Sequence, residues 1–250
     1  MKTVFCAYDD LDCVGGPNTW LRRLLPELQK AGVAVHALLL TPCPGRGATS
    51  VALRSTGIPC TEFAFRTCPF TQQRLQRILS FVVHLKPDIF VPNLVIPAYY
   101  LNSWFRQAGI ATVGVMHSDD PFYWALIEEF VNGPLGHRLS GLVCVSEYLR
   151  SVVVRLAPKD IKIAKIPCGA PVPNCHNSEP TNGLRLVYVG RLEQEQKRIL
   201  DLTRSFCRAA REIPGTEAVI YGEGRARAEV EWLLATEGKG LPVSLQGRID

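Results

Sequence analysis

Between Met1 and Ile166 the sequence alternates short β-branched apolar runs with longer segments of helical periodicity, and this alternation restricts the fold more than any other feature. Strands are predicted at Thr3–Tyr8, Val33–Leu40, Thr61–Phe65, Asp88–Val91, Ala111–Val115 and Gly141–Val145. Helices are predicted at Thr19–Lys30, Thr71–Leu85, Ala98–Ala108, Phe122–Val131 and Glu147–Leu156. The strand runs are apolar throughout rather than at every second residue. Strands buried on both faces of a parallel sheet read this way. The pattern predicts a doubly wound α/β domain.

The texture changes after Ile166. Residues 167–183 are rich in Pro, Asn and Gly with little periodicity, as interdomain linkers are. A second alternation follows: strand Leu184–Val189, helix Ile199–Arg211, strand Ala218–Tyr221, helix Ala226–Ala235 and strand Val243–Leu245. The expected organisation is a first domain over 1–172, a linker over 173–183 and a second domain over 184–250. The fold class is α/β, with two Rossmann-like doubly wound domains. Three strands and two helices make half of such a sheet. The second domain is therefore expected to be incomplete, with an apolar strand edge and one poorly covered face.

Composition narrows the chemistry. Nine cysteines stand at 6, 13, 43, 60, 68, 144, 168, 175 and 207, with no C-x-x-C pair, so reduced thiols in a cytosolic protein are expected and no metal centre. The net charge of +5 is uneven: residues 1–172 hold 17 Lys and Arg against 12 Asp and Glu, residues 183–250 hold 11 against 10. A mildly basic first domain suits an anionic ligand or an anionic membrane surface. It lacks the concentrated basic face of nucleic-acid binding. No apolar run reaches the ~20 residues of a membrane span, and no basic-then-apolar leader precedes the first strand, so no cleaved signal is expected.

Candidate site residues fall in the loops that follow strands. Gly15 and Gly16 lie in the first strand-to-helix connection, with Pro17 suited to the first helical turn. Two readings stand: a turn that needs glycine for its dihedrals, or a backbone open to an anion at a helix N-terminus. No third glycine completes a dinucleotide fingerprint. Asp10-Leu11-Asp12 has a spacing that could chelate a divalent ion, or is a pair of solvated loop acids. His117 follows the strand Ala111–Val115, where open α/β sheets bind ligands; it could equally anchor a loop. With Ser118 and Asp119 it forms no hydrolytic triad, whose members meet through the fold and not along the sequence.

In Gly190-Arg191-Leu192 an apolar strand ends in glycine and then arginine, and Lys197 stands six positions after Arg191, at the start of the next helix. An arginine fork and a lysine point charge make a diphosphate clamp, although Glu193 and Glu195 alternate with the bases as in a solvated run. Tyr221-Gly222-Glu223-Gly224 repeats the strand-then-glycine pattern.

In order, Gly15-Gly16, His117, Val145-Ser146-Glu147-Tyr148-Leu149, Ile166-Pro167-Cys168-Gly169, Gly190-Arg191-Leu192 with Lys197, and Tyr221-Gly222-Glu223-Gly224 resemble the retaining GT-B glycosyltransferases of the group 1, family 4 type. That family includes sucrose synthase-like enzymes and the mannosyl- and glucosyltransferases of cell-envelope polysaccharide assembly. The resemblance implies transfer of a sugar from a nucleotide-diphosphate-sugar donor to an acceptor hydroxyl, with retention. It implies that Gly15 and Gly16 meet the donor diphosphate and sugar, and that His117 bonds a donor-sugar hydroxyl. Arg191 and Lys197 would neutralise the leaving diphosphate, so that neither a metal nor a cofactor is needed. Ser146, Gly222 and Glu223 would line the substrate site, and Ile249, in Gln246-Gly-Arg-Ile249-Asp250, would meet the nucleotide base. The acceptor would be a saccharide, a lipid-linked molecule or a small molecule, the location cytoplasmic with peripheral contact at the inner membrane face.

Two departures from the family pattern stand out. The family places its lysine five positions after the arginine, and its paired glutamates would fall beyond Asp250, so a truncated and weakly active or inactive chain is expected. The alternatives are a non-catalytic sugar-nucleotide-binding fragment and a sugar-nucleotide epimerase of the same fold.

Overall fold

The apolar runs become strands packed between helices. The structure, a computed structural model, describes residues 1–11, 15–170, 172 and 183–249. The chain divides into two units, Met1–Val172 and Pro173–Asp250. The proposed linker lies outside the described residues apart from Gly183, as do Asp12 and Asp250.

The first unit runs β1 (Lys2–Tyr8), α1 (Gly16–Lys30), β2 (Ala34–Thr41), α2 (Ala48–Ser55), β3 (Cys60–Ala64), α3 (Thr71–Leu85), β4 (Ile89–Pro92), α4 (Ile96–Tyr99), α5 (Asn102–Gln107), β5 (Ala111–Met116), α6 (Pro121–Phe130), β6 (Gly141–Cys144), α7 (Glu147–Leu156) and β7 (Lys162–Lys165). The strands form one parallel sheet in the order β3-β2-β1-β4-β5-β6-β7. Phe5 of β1 pairs with Ala37 of β2 on one side and Val91 of β4 on the other. The chain reverses its direction of travel across the sheet between β1 and β4. A crevice for ligands opens outside the carboxyl ends of strands at such a switch point.

Both faces of β1 are buried, which accounts for its unbroken apolar sequence. Val4 and Cys6 pack with Ile78 and Val82 of α3, while Phe5 and Ala7 pack with Leu21 and Leu25 of α1. A third cluster joins Met116, Leu142 and Cys144 to Ile127, Phe130, Leu149 and Val153 of α6 and α7. Covering is thinner on the α1 side beyond β1. There an apolar trough of about 830 Å³ is floored by Val91, Val113, Val115 and Val143 and walled by Leu24 and Leu28.

Some elements of the first unit differ from the sequence expectation, among them β7, which is not predicted. The single helix expected over Ala98–Ala108 is two short ones, with a tightened turn in which Leu101 N–H bonds Ala98 O at 3.3 Å. The break lets Tyr99 enter the α6–α7 cluster while Ala98, Leu101 and Phe105 enter the α3 cluster. The helix α2 was not expected at all. Its start is held by Asp9, only 2% exposed, whose Oδ1 accepts from Thr49 N and Oδ2 from Ser50 N, both at 2.9 Å. A carboxylate on the free N–H groups of a helix N-terminus satisfies orphan donors and complements the helix dipole. A Cβ on Gly47 would overlap Asp9 Oδ2, so only glycine lets the carboxylate approach. Asn18 Nδ2 donates to Tyr8 O at 2.8 Å and Thr49 Oγ1 at 2.9 Å, tying α1 to β1 and α2.

The second unit contains β8 (Arg185–Val189), α8 (Gln194–Lys197), α9 (Ile199–Glu212), β9 (Glu217–Tyr221), α10 (Arg227–Thr236) and β10 (Val243–Gln246). Its parallel sheet has the order β10-β9-β8. Leu192, Ile199, Ile220 and Val230 form the core. Val187 and Val189 of β8 are 60% and 61% exposed, so one face of that strand meets solvent. Gly222, at φ +150°, follows β9, and a Cβ there would overlap the carbonyl oxygen of Gly190.

Asp9→Ala should lower unfolding stability by about 3 kcal/mol in urea denaturation, because it strands buried N–H donors, with Asp9→Asn intermediate. Gly222→Ala should cost about 3 kcal/mol by the same measurement, since left-handed strain and backbone overlap act together.

Candidate active site

The candidate residues Gly15, Gly16 and His117 of the first unit lie at the carboxyl ends of β1 and β5. Gly15 is the N-cap residue of α1 at φ −60°, and Gly16 opens the helix. Neither has a positive φ, a Cβ on Gly16 would meet nothing within 4 Å, and one on Gly15 only Pro17 at 4.0 Å. The turn geometry therefore does not require these glycines among the described residues. What they leave is open backbone at the start of a helix without a side-chain cap.

One turn into α1, Trp20 sets its ring edge-to-face on His117, with centroids 5.0 Å apart at 75°. The glycine loop and the histidine thus come to the same end of the sheet. Tyr123 of α6 closes in on the ring at 6.3 Å. His117 Nε2 lies 3.2 Å from Oδ1 of Asn93, the residue immediately after β4. Burial among these groups lowers the His117 pKa to about 4, so the imidazole is neutral at physiological pH. It is an anchored group at the carboxyl end of β5, next to β4 and the switch point.

Asn93 was missed in the sequence, although the rule that selects His117, a polar residue closing a parallel strand, selects it too. Ser146 is the N-cap of α7, and its Oγ accepts from Leu149 N at 3.2 Å. Asp10 Oδ1 accepts from Leu11 N at 2.7 Å, at the exposed end of the loop.

In the second unit the loops after β8 and β9 are bonded to each other. Gly190 N–H donates to Tyr221 O at 3.1 Å and Leu192 N–H to Glu223 O at 2.9 Å. Arg191 projects from this pair, its guanidinium held by Glu193 Oε1 at 3.1 Å and Gln196 Oε1 at 2.6 Å. Lys197 is not at the start of the long helix, as expected, but closes the single turn of α8. Arg198 follows in the left-handed region at φ 51° and starts α9, where its Nε bonds Asp201 at 2.8 Å. That left-handed step separates α8 from α9. Arg198 is thereby engaged, while exposed Lys197 forms no ion pair among the described residues. Glu223 is paired with Arg227, Gly222 N–H donates to Gly247 O at 3.2 Å, and Ile249 is 49% exposed.

Among the described residues no cluster of three or more His, Cys, Asp or Glu could hold a metal ion, and the seven described cysteines are unpaired. No described helix is long and apolar enough to cross a membrane.

The family Glycosyltransferase Family 4 matches residues 14–172. No curated protein sequence matches the chain. Among solved structures, the lipopolysaccharide outer core galactosyltransferase WaaB in its apo form is 15% identical with a TM-score of 0.71, over 100% of this chain and 69% of that one. HepE of Anabaena, in complex with UDP-glucose, is 16% identical with a TM-score of 0.69, over 100% and 70%. TarM is 12% identical with a TM-score of 0.69, over 100% and 77%. These likenesses give the fold, two Rossmann-like α/β units of the GT-B kind. Matched by the family over well more than half its length, the chain belongs to Glycosyltransferase Family 4 and is a glycosyltransferase.

Proposed function

We propose that the protein transfers a sugar from a nucleoside-diphosphate-sugar donor to an acceptor hydroxyl with retention at the anomeric carbon, the first unit serving the acceptor side and the second the donor. The observation that carries this reading is the pairing of open glycines with a buried neutral histidine at the switch point of a family 4 domain. Gly15 and Gly16 let the donor diphosphate and sugar approach the backbone. A neutral His117 retains a lone pair with which to accept a hydrogen bond from a sugar hydroxyl.

As the glycosidic bond breaks, negative charge grows on the departing diphosphate. Arg191 supplies a fork of donors and Lys197 an unengaged ammonium to stabilise it, without calling on a metal. Arg191 must exchange Glu193 and Gln196 for phosphate oxygens to do so. Gly222, Glu223 and Ile249 stand at the carboxyl ends of β9 and β10 for the sugar and nucleotide, and Ser146 at that of β6. The acceptor is a saccharide, a lipid-linked molecule or a small molecule. The excess of bases in residues 1–172 suits a cytoplasmic protein resting on the anionic inner face of a membrane.

UDP titrated into the protein by calorimetry tests the clamp. Arg191→Ala and Lys197→Ala should each weaken binding about tenfold to a hundredfold, as expected for losing a charge-assisted bond of about 1.5–3 kcal/mol. Unchanged UDP affinity in both variants would sink the assignment. Transfer of the sugar from UDP-glucose, as against binding alone, separates a transferase from a binding module.

The histidine gives a pH prediction. Unfolded, His117 takes up its proton near 6.5; folded, it does so only near 4. Stability present above pH 6.5 should therefore fall as pH drops from 6.5 towards 4, by at most about 3 kcal/mol. Chemical denaturation across that window should show the slope, and His117→Gln should flatten it.

A further inference from the structure

Asn93 holds a polar atom that the chemistry above leaves unused. The residue is 3% exposed, its Oδ1 lies 3.2 Å from His117 Nε2, and its Nδ2 has no hydrogen-bond partner. Its backbone N–H bonds Val91 O at 3.0 Å, and the next residue, Leu94, takes a left-handed φ of 62°. The other rings against His117, Trp20 and Tyr123, meet it edge-on. Among the described residues, Asn93 is the one group that hydrogen-bonds the imidazole.

An amide oxygen only accepts hydrogen bonds. Against it, Nε2 must carry the proton, and the lone pair of the neutral ring is left on Nδ1. We propose that Asn93 is a positioning residue that fixes His117 as the Nε2–H tautomer, so that Nδ1 meets the ligand as an acceptor and selects a hydroxyl that donates. The selection rests on the reading of His117 as the contact to a sugar hydroxyl; the tautomer does not. With the amide turned over, Nδ2 would face Nε2, the proton would move to Nδ1, and the site would prefer a ligand acceptor such as a carbonyl.

The two arrangements differ in a spectroscopic signature. With ¹⁵N-histidine incorporated, long-range proton–nitrogen correlation on the wild-type protein should show a protonated Nε2 and an unprotonated Nδ1 for His117. The reverse assignment would overturn the proposal. Asn93→Asp should keep that tautomer and raise the His117 pKa by one to three pH units, since a carboxylate replaces the amide within bonding distance. An unmoved pKa in that variant would also overturn it.

Binding separates the tautomer from the sugar contact. Asn93→Leu should weaken UDP-glucose at least fivefold and leave UDP unchanged, because UDP has no sugar hydroxyl for Nδ1. Equal losses for both ligands would mark Asn93 as merely structural and count against the proposal. The expected tautomer with unchanged UDP-glucose affinity would support the positioning role and remove the sugar contact.

Discussion

A carboxylate taken out of water is tolerated only where hydrogen bonds replace those it loses, and Asp9 receives them from the backbone of Asp10, Thr49 and Ser50. The first unit is arranged around that replacement. The carboxylate reaches the start of α2 because Gly47 has no side chain, and Asn18 bridges from α1 to Tyr8 and Thr49 across the same corner. Three elements are thereby pinned at the carboxyl end of β1. The open glycines at the head of α1 stand on this corner, so a flexible-looking sequence rests on a fixed support.

The two units handle polarity in opposite ways. Around His117 the groups are aromatic or neutral, and burial keeps the imidazole uncharged. In the second unit charges are exposed and already paired, Arg191 with Glu193, Arg198 with Asp201, Arg227 with Glu223 and Glu231. Exposed pairs of this kind are worth little, typically about 0–1 kcal/mol. Exposed Lys197 stands outside these pairs. Buried neutral groups thus characterise the candidate residues of one unit, and exposed charges those of the other.

The sequence announced what local chemistry controls and was silent on what distant contacts control. Thr71–Leu85 and Glu147–Leu156 were legible to the residue because each has one apolar stripe and clear ends. The helix α2 has no such stripe: Thr49, Ser50 and Leu53 are its buried residues, and its cap comes from Asp9, far back in the chain. The division of Ala98–Ala108 was equally hidden, since only the sheet decides that Tyr99 and Leu101 serve different clusters. His117 could be selected from its place after a strand. Asn93 follows β4 by the same rule, but only the pairing of β4 with β5 brings the two side chains together. Lys197 shows a third case, in which one left-handed residue, Arg198, reassigns a cation from one helix to the end of another.

Gly222 carries a last consequence. Where a backbone carbonyl fills the space that a side chain would need, no rotamer lies between the two loops to turn aside under load. The bonds from Gly190 to Tyr221 and from Leu192 to Glu223 close the same contact from either side. The loops after β8 and β9 are therefore held against each other through backbone alone. The backbone positions of Arg191 and Glu223 are fixed relative to one another, with no side-chain rotamer able to change their spacing.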